Sequence, residues 1–122
     1  MNDKLEKLIQ ELRDMPPVPQ YGGRRQFRVI ARALDKKGKV LSTRTNTYST
    51  SHPQQKHFAV LAGRPDAIYL HAEIATLLAA KKDVHTLLVA RINNKGVPVS
   101  AKPCDICTIA INVYGVKEVI HT

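Results

Sequence analysis

The sequence has 122 residues, and 43% of them are apolar, which is enough for one packed core and one main site. No run approaches the roughly 18 consecutive apolar residues of a membrane span, and the charged segment 1–11 lacks the apolar core of a signal peptide. We therefore expect a cytoplasmic protein with no membrane partner, and the two cysteines, three positions apart, exclude the disulfide framework of a small secreted domain.

The positive charge is unevenly distributed along the chain. The formal net charge is +9, and neither residues 36–65 nor residues 84–104 contain an Asp or Glu, although both stretches contain Lys or Arg. Such basic stretches favour a phosphate-bearing substrate or a nucleic acid as partner. The alternative is a basic surface that only keeps the protein soluble, and composition leaves both interpretations open.

The N-terminal part predicts a helix and then a hairpin. Apolar residues recur at helical spacing over residues 3–13, behind a capping box, and the helix should end before Pro16. Residues 26–34 alternate in a way that predicts a strand with one apolar and one mixed face. A turn at residues 35–39 then leads into a second, antiparallel strand over residues 40–47.

The remaining chain alternates helices with strands. We predict helices over residues 54–62, 70–81 and 105–114, strands over residues 86–92 and 116–120, and a turn at residues 93–96. After an initial hairpin, this order predicts an α/β protein in which helices pack on a mixed sheet.

Two short motifs carry the candidate chemistry, His71-Ala72-Glu73 and Pro103-Cys104-Asp105-Ile106-Cys107. Alone, the Cys-x-x-Cys pair is also compatible with a redox or disulfide role, and a His-x-Glu sequence occurs by chance on many helices. Together, each at the start of a predicted helix, they indicate a metal site.

The ligand types favour zinc. Two thiolates and one imidazole suit this ion, and three protein ligands leave a fourth position for water, as in catalytic zinc sites. Cys104 and Cys107 can direct both sulfurs to one side of a helix, whose N-terminal potential favours thiolates. We predict one Zn²⁺ per chain, bound by His71, Cys104 and Cys107. A fourth protein ligand would indicate a structural site, and the spacing singles out none of the remaining histidines, His52, His57, His85 and His121.

Glu73 is the candidate catalytic residue. In a regular helix, side chains two positions apart point to different sides. We therefore expect Glu73 to be a poor co-ligand of His71. At a frayed helix start the carboxylate could still reach a water at the metal and act as general base and acid. The alternative is an exposed carboxylate that only caps the helix.

The two motifs together resemble the signature of the cytidine and deoxycytidylate deaminase superfamily, H-x-E followed by P-C-x-x-C. The resemblance covers the order of elements over residues 26–122, which we take as the catalytic core of a single domain, 1–122, with an N-terminal helix within residues 1–15. It implies a three-layer α/β/α fold around a mixed sheet of four to five strands with an N-terminal hairpin.

The resemblance also implies roles for single residues. It implies that the predicted ligands bind zinc, that Glu73 shuttles protons, that the backbone around Ala72 helps to hold the base, and that Asn46 contacts the sugar. The implied reaction is the hydrolytic conversion of cytosine, in a nucleoside or nucleotide, to uracil and ammonia. Asn46 could instead be an ordinary turn residue at a strand end.

The substrate stays open at this point. Residues 115–120 resemble the deoxycytidylate and tRNA-adenosine branch, whose last strand runs parallel, whereas the long segment 93–102 resembles free-nucleoside enzymes. One alternative is a deaminase of cytosine or adenine in single-stranded DNA or RNA, which the basic stretches favour and the scarce aromatic residues disfavour. Another is a non-catalytic, zinc-stabilised nucleic-acid-binding module. The sequence is also compatible with a homo-oligomer.

Overall fold

The structure, a computed structural model, describes residues 3–16, 28–46, 52–67 and 70–122. Within these ranges the helices are α1 (Asp3–Asp14), α2 (Pro53–Leu61), α3 (Ala72–Ala80) and α4 (Asp105–Val113). The strands are β1 (Arg28–Leu34), β2 (Val40–Thr45), β3 (Thr86–Ile92), β4 (Pro98–Val99) and β5 (Glu118–His121). None of the described helices is long and apolar enough to cross a membrane.

The strands form one mixed sheet in which β1 lies between β2 and β3 and is antiparallel to both. The other edge of β3 is shared, because β5 pairs with its first part in parallel and β4 pairs with its last two residues in antiparallel. The predicted hairpin, mixed sheet and parallel last strand are confirmed. Strand β4 was not predicted, since two residues are too few to show an alternating pattern.

Successive side chains of β1 point to opposite faces of the sheet, and each face carries its own hydrophobic core. Ile30 and Leu34 pack with α1 and with Leu88 of β3, whereas Ala31 and Ala33 belong to the core beneath α2, α3 and α4. The small alanine side chains allow α3 to lie close to the sheet, where the Thr76 hydroxyl donates to the Ala31 carbonyl at 3.1 Å. The predicted three-layer α/β/α architecture is confirmed.

The mixed face of β1 is explained by its arginines, which bind α1. Arg28 donates to the carbonyls of Leu12 and Met15 at the end of this helix. Arg32 forms an ion pair with Glu11, with a shortest N–O distance of 2.6 Å. Both arginines therefore attach α1 to the sheet beside its apolar contacts.

Helix boundaries differ from the predicted ones by one or two residues at most ends. The difference that matters is at α3, which begins at Ala72 and not at residue 70. His71 precedes the helix as its N-cap, with an extended backbone (φ −76°, ψ 151°). Predicted strand residues 26–27 and 47 lie outside the described residues.

Candidate metal centre

The three predicted ligands lie at the starts of two neighbouring helices. His71 is the N-cap of α3, Cys104 is the N-cap of α4, and Cys107 lies one turn into α4. Helices α3 and α4 contact each other on the same face of the sheet. The side chain of His71 makes no capping hydrogen bond to the backbone of its helix, so its imidazole remains available for another partner.

The distances between the ligand atoms fit a tetrahedral zinc ion. His71 Nδ1 lies 3.2 Å from Cys107 Sγ and 3.6 Å from Cys104 Sγ, and all three ligand atoms lie within 4.8 Å of one another. Tetrahedral coordination with Zn–S of about 2.3 Å and Zn–N of about 2.0 Å requires an N–S separation of about 3.5 Å. The soft donor set and its spacing therefore both suit Zn²⁺.

The other four histidines have different partners. His52 caps α2 by accepting from the Gln54 amide at 3.0 Å, and His57 stacks edge-on against Phe58. His85 bonds the Thr86 hydroxyl at 2.9 Å, and His121 donates to the Thr122 carbonyl at 2.8 Å. Within the described ranges, His71, Cys104 and Cys107 form the one group of His, Cys, Asp and Glu side chains close enough to hold an ion.

Glu73 is buried beside this group, with 7% of its surface exposed. Its carboxylate accepts a hydrogen bond from its own backbone N–H and lies beside the sulfur of Cys107. Because His71 has an extended backbone, the two side chains need not diverge as they would within one regular helix. The alternative of an exposed cap carboxylate is therefore wrong, and the carboxylate lies beside the ligands.

The protonation of the centre follows from these contacts. The hydrogen bond from Cys107 lowers the pKa of Cys104 to about 3, with a further contribution from His71. The same bond, together with burial, raises the pKa of Cys107, and the bond to Cys104 raises that of His71. Burial raises the pKa of Glu73. Without an ion, Cys104 is thus a thiolate while Cys107 keeps its proton.

The two residues proposed to contact the substrate, Ala72 and Asn46, lie at the start of α3 and directly after β2. Ala72 is fully buried as the first residue of α3, between the imidazole and the carboxylate. Asn46 extends the hairpin, because its Oδ1 accepts from the Val29 amide at 3.0 Å and its own amide donates to the Val29 carbonyl at 3.2 Å. It borders a cavity of about 240 Å³ whose other described lining residues come from the ends of α1, β1 and β2.

One residue next to the ligands was not predicted. Gln55 of α2 is fully buried, and its side-chain oxygen accepts a hydrogen bond from the backbone N–H of His71 at 3.2 Å. Nothing in the sequence distinguishes it from the neighbouring Gln54, which is exposed.

Comparison with known proteins gives two findings. Residues 6–122 match the sequence model of the family described as "Cytidine and deoxycytidylate deaminase zinc-binding region". The fold is similar to the crystal structure of a mutant cytidine deaminase from Mycobacterium tuberculosis, with a TM-score of 0.53 and 20% identity over 97% of this chain and 80% of that chain. No curated protein sequence matches. The chain therefore belongs to the cytidine and deoxycytidylate deaminase family, and the one zinc ion that its zinc-binding region requires fits the group formed by His71, Cys104 and Cys107.

Proposed function

We propose that this zinc-dependent deaminase hydrolyses the exocyclic amine of cytosine in a nucleoside or nucleotide, which yields uracil and ammonia. The observation that carries the proposal is the buried carboxylate of Glu73 against a three-ligand metal group. The choice of cytosine follows the family description and the similarity to a cytidine deaminase. A catalytic site needs both an open metal position and a base beside it, and this arrangement offers both.

His71, Cys104 and Cys107 are the proposed ligands. Bound there, zinc would lower the pKa of a water to about 7 and so supply a nucleophile near neutral pH. The extended backbone of His71 and the first turn of α4 direct imidazole and sulfurs to one point. With three protein ligands, a bound zinc ion would keep one position for the reacting molecule.

Glu73 is the proposed proton carrier. Burial raises the pKa of its carboxyl group, which brings it closer to the neutral range in which a group can both accept and donate a proton. An oxygen of Glu73 can take one proton from the attacking water and deliver it to the ring nitrogen of the base. It can then take the remaining proton from the hydroxyl now on the ring carbon and pass it to the departing amine, as the carbonyl of uracil forms.

The start of α3 is the proposed contact for the base. The first N–H groups of a helix have no partner within the helix, and the side chain of His71 does not cap them. The backbone at Ala72 can therefore donate to a polar atom of the base, while Asn46 remains a proposed sugar contact.

The experiment is a measurement of ammonia release from a panel of substrates. The panel contains cytidine, deoxycytidine, their monophosphates, and short single strands with one cytosine or one adenine. We expect release from a free cytosine compound, with uracil as the base formed. Release from none of them would contradict the proposal and favour a zinc-stabilised binding module.

A deaminase of single-stranded nucleic acid is the second candidate, and the position of Arg64 favours it. Arg64 is exposed in the turn after α2, near enough for its charge to act on the imidazole of His71. A cation at the edge of the centre suits a phosphate-bearing substrate, either a polynucleotide or a free nucleotide, rather than a nucleoside. If the substrate is polymeric, its affinity should fall steeply with salt, because bound counterions are released. Turnover of a free nucleoside that does not depend on salt would exclude this candidate.

A further inference from the structure

We propose that Gln55 is a positioning residue for the metal ligand His71, because its one side-chain amide group binds the backbone of both His71 and Ala67. The proposal rests on the ligand role of His71 and not on the identity of the substrate. It assigns to α2 a function besides packing.

Both polar atoms of the Gln55 side chain bind backbone groups that precede α3. The Nε2 atom donates to the carbonyl of Ala67 at 3.2 Å, and the Oε1 atom accepts from the amide of His71 at 3.2 Å. The side chain is completely buried, so water does not compete for either bond. A buried amide is costly unless its donor and acceptor are both satisfied, and these two bonds satisfy one of each.

The hydrogen bond from the His71 amide to Gln55 holds the peptide that precedes His71. The His71 carbonyl already accepts from Ala75 at 2.9 Å, which ties the following peptide to α3. The preceding peptide lies before the helix, so its N–H has no helical partner, and Gln55 supplies one. With both adjoining peptides held, the direction of the His71 side chain is held as well, and its Nδ1 stays within 3.2 and 3.6 Å of the two sulfurs.

The chemistry explains why a glutamine stands here. Its planar amide offers a donor and an acceptor in one group, as the two backbone partners require. A carboxylate would lack the donor, and an apolar side chain would lack both. Helix α2 is itself held in place, because Phe58 and Ala59 lie in the core and α2 packs against α4, at whose start both cysteines lie. Gln55 therefore links His71 to the helix that contacts the other ligands.

The variant Gln55→Met tests the proposal, since it keeps the length of the side chain and removes both hydrogen bonds. The matched control is Thr76→Val, which removes a fully buried side-chain hydrogen bond from α3 itself, on the face toward the sheet. Zinc affinity is measured by competition with a chromogenic chelator. We expect binding about 10- to 100-fold weaker in Gln55→Met, the usual effect of losing a hydrogen-bond partner of a ligand, and unchanged in the control. Both variants should melt at a lower temperature without zinc.

Two further measurements separate positioning from general stability. Co²⁺ in place of Zn²⁺ gives visible absorption bands that report ligand geometry, and these should shift in Gln55→Met and not in Thr76→Val. In the zinc-free wild type, hydrogen exchange at the His71 amide should be slow, which is measurable even if the variant does not fold. Wild-type affinity and an unshifted cobalt spectrum in Gln55→Met, or fast exchange at His71 in the wild type, would overturn the proposal. A wild type that binds zinc and deaminates nothing would instead contradict only the proposed function.

Discussion

The Nδ1 atom of His71 lies 3.2 Å from the Sγ atom of Cys107, although 36 positions separate the two residues in the chain. This contact joins the start of α3 to the first turn of α4. An ion held there links two helices whose ligands are far apart in the unfolded chain. Its binding energy is therefore also folding energy.

We expect one zinc ion per chain, and we expect Cys104→Ala or His71→Ala to lose it. With free zinc at 100 times its Kd, binding stabilises a native state by about 2.7 kcal/mol, and the variants should lose this increment. Zinc content by elemental analysis and unfolding with and without zinc measure both effects. His121→Ala is the control, because this histidine lies outside the metal group. Wild-type zinc content in Cys104→Ala would contradict the ligand assignment.

Zinc binding should release protons near neutral pH. Cys104 is already a thiolate there, since its pKa is lowered to about 3, whereas Cys107 and His71 have raised pKa values and must give up protons to coordinate. The affinity for zinc should consequently rise with pH through the neutral range. Calorimetry in buffers of different ionisation enthalpy gives the number of protons released. A value of zero at neutral pH would mean that Cys107 is not protonated in the zinc-free protein.

How far the sequence predicted the structure depends on the range over which each signal acts. The alternation in β1 predicted its two faces, and the helical spacing in α1 predicted its buried side, because these patterns repeat over several residues. Strand β4 has only two residues and depends on its pairing with β3, so no local pattern could reveal it.

The candidate site likewise has features that local patterns predict and features that depend on the tertiary structure. Residue type and order predicted the group of His71, Cys104 and Cys107, and the structure brings these three together. Sequence reasoning placed His71 inside α3, although it is the N-cap, because a polar residue before an apolar helix can occupy either position. The contact of Gln55 depends on how α2 lies against the start of α3, which only the tertiary structure determines.

The ion pair between Glu11 and Arg32 should contribute a pH-dependent increment to stability. The hydrogen bond from Arg32 lowers the pKa of Glu11 below its ordinary value of 4.5. The pair therefore stabilises the fold at pH values above this ordinary pKa. The increment is lost as the pH falls through the lower pKa that Glu11 has in the folded state. Because the Glu11 side chain is 47% exposed, we expect only about 0.2 to 1 kcal/mol.

Urea unfolding of Glu11→Gln and of the wild type measures this increment. The free energies of unfolding should differ at neutral pH, and the difference should vanish in acid and shrink in high salt. Glu6→Gln removes an exposed carboxylate from the same helix and serves as the control. A difference that stays constant into strong acid would show that the effect of Glu11→Gln is not electrostatic.

Replacement of Glu73 by Gln should separate metal binding from catalysis. The three proposed ligands remain, and Gln can still accept from the backbone N–H that the carboxylate now binds, so zinc content and folding should be nearly unchanged. Gln cannot carry a proton, and turnover should fall about 10²-fold or more, the usual scale of general acid–base catalysis. The control is Asp105→Asn, which removes an exposed carboxylate at the start of α4 and should leave turnover close to that of the wild type. Loss of zinc from Glu73→Gln would make Glu73 a ligand, and full activity would place the base elsewhere.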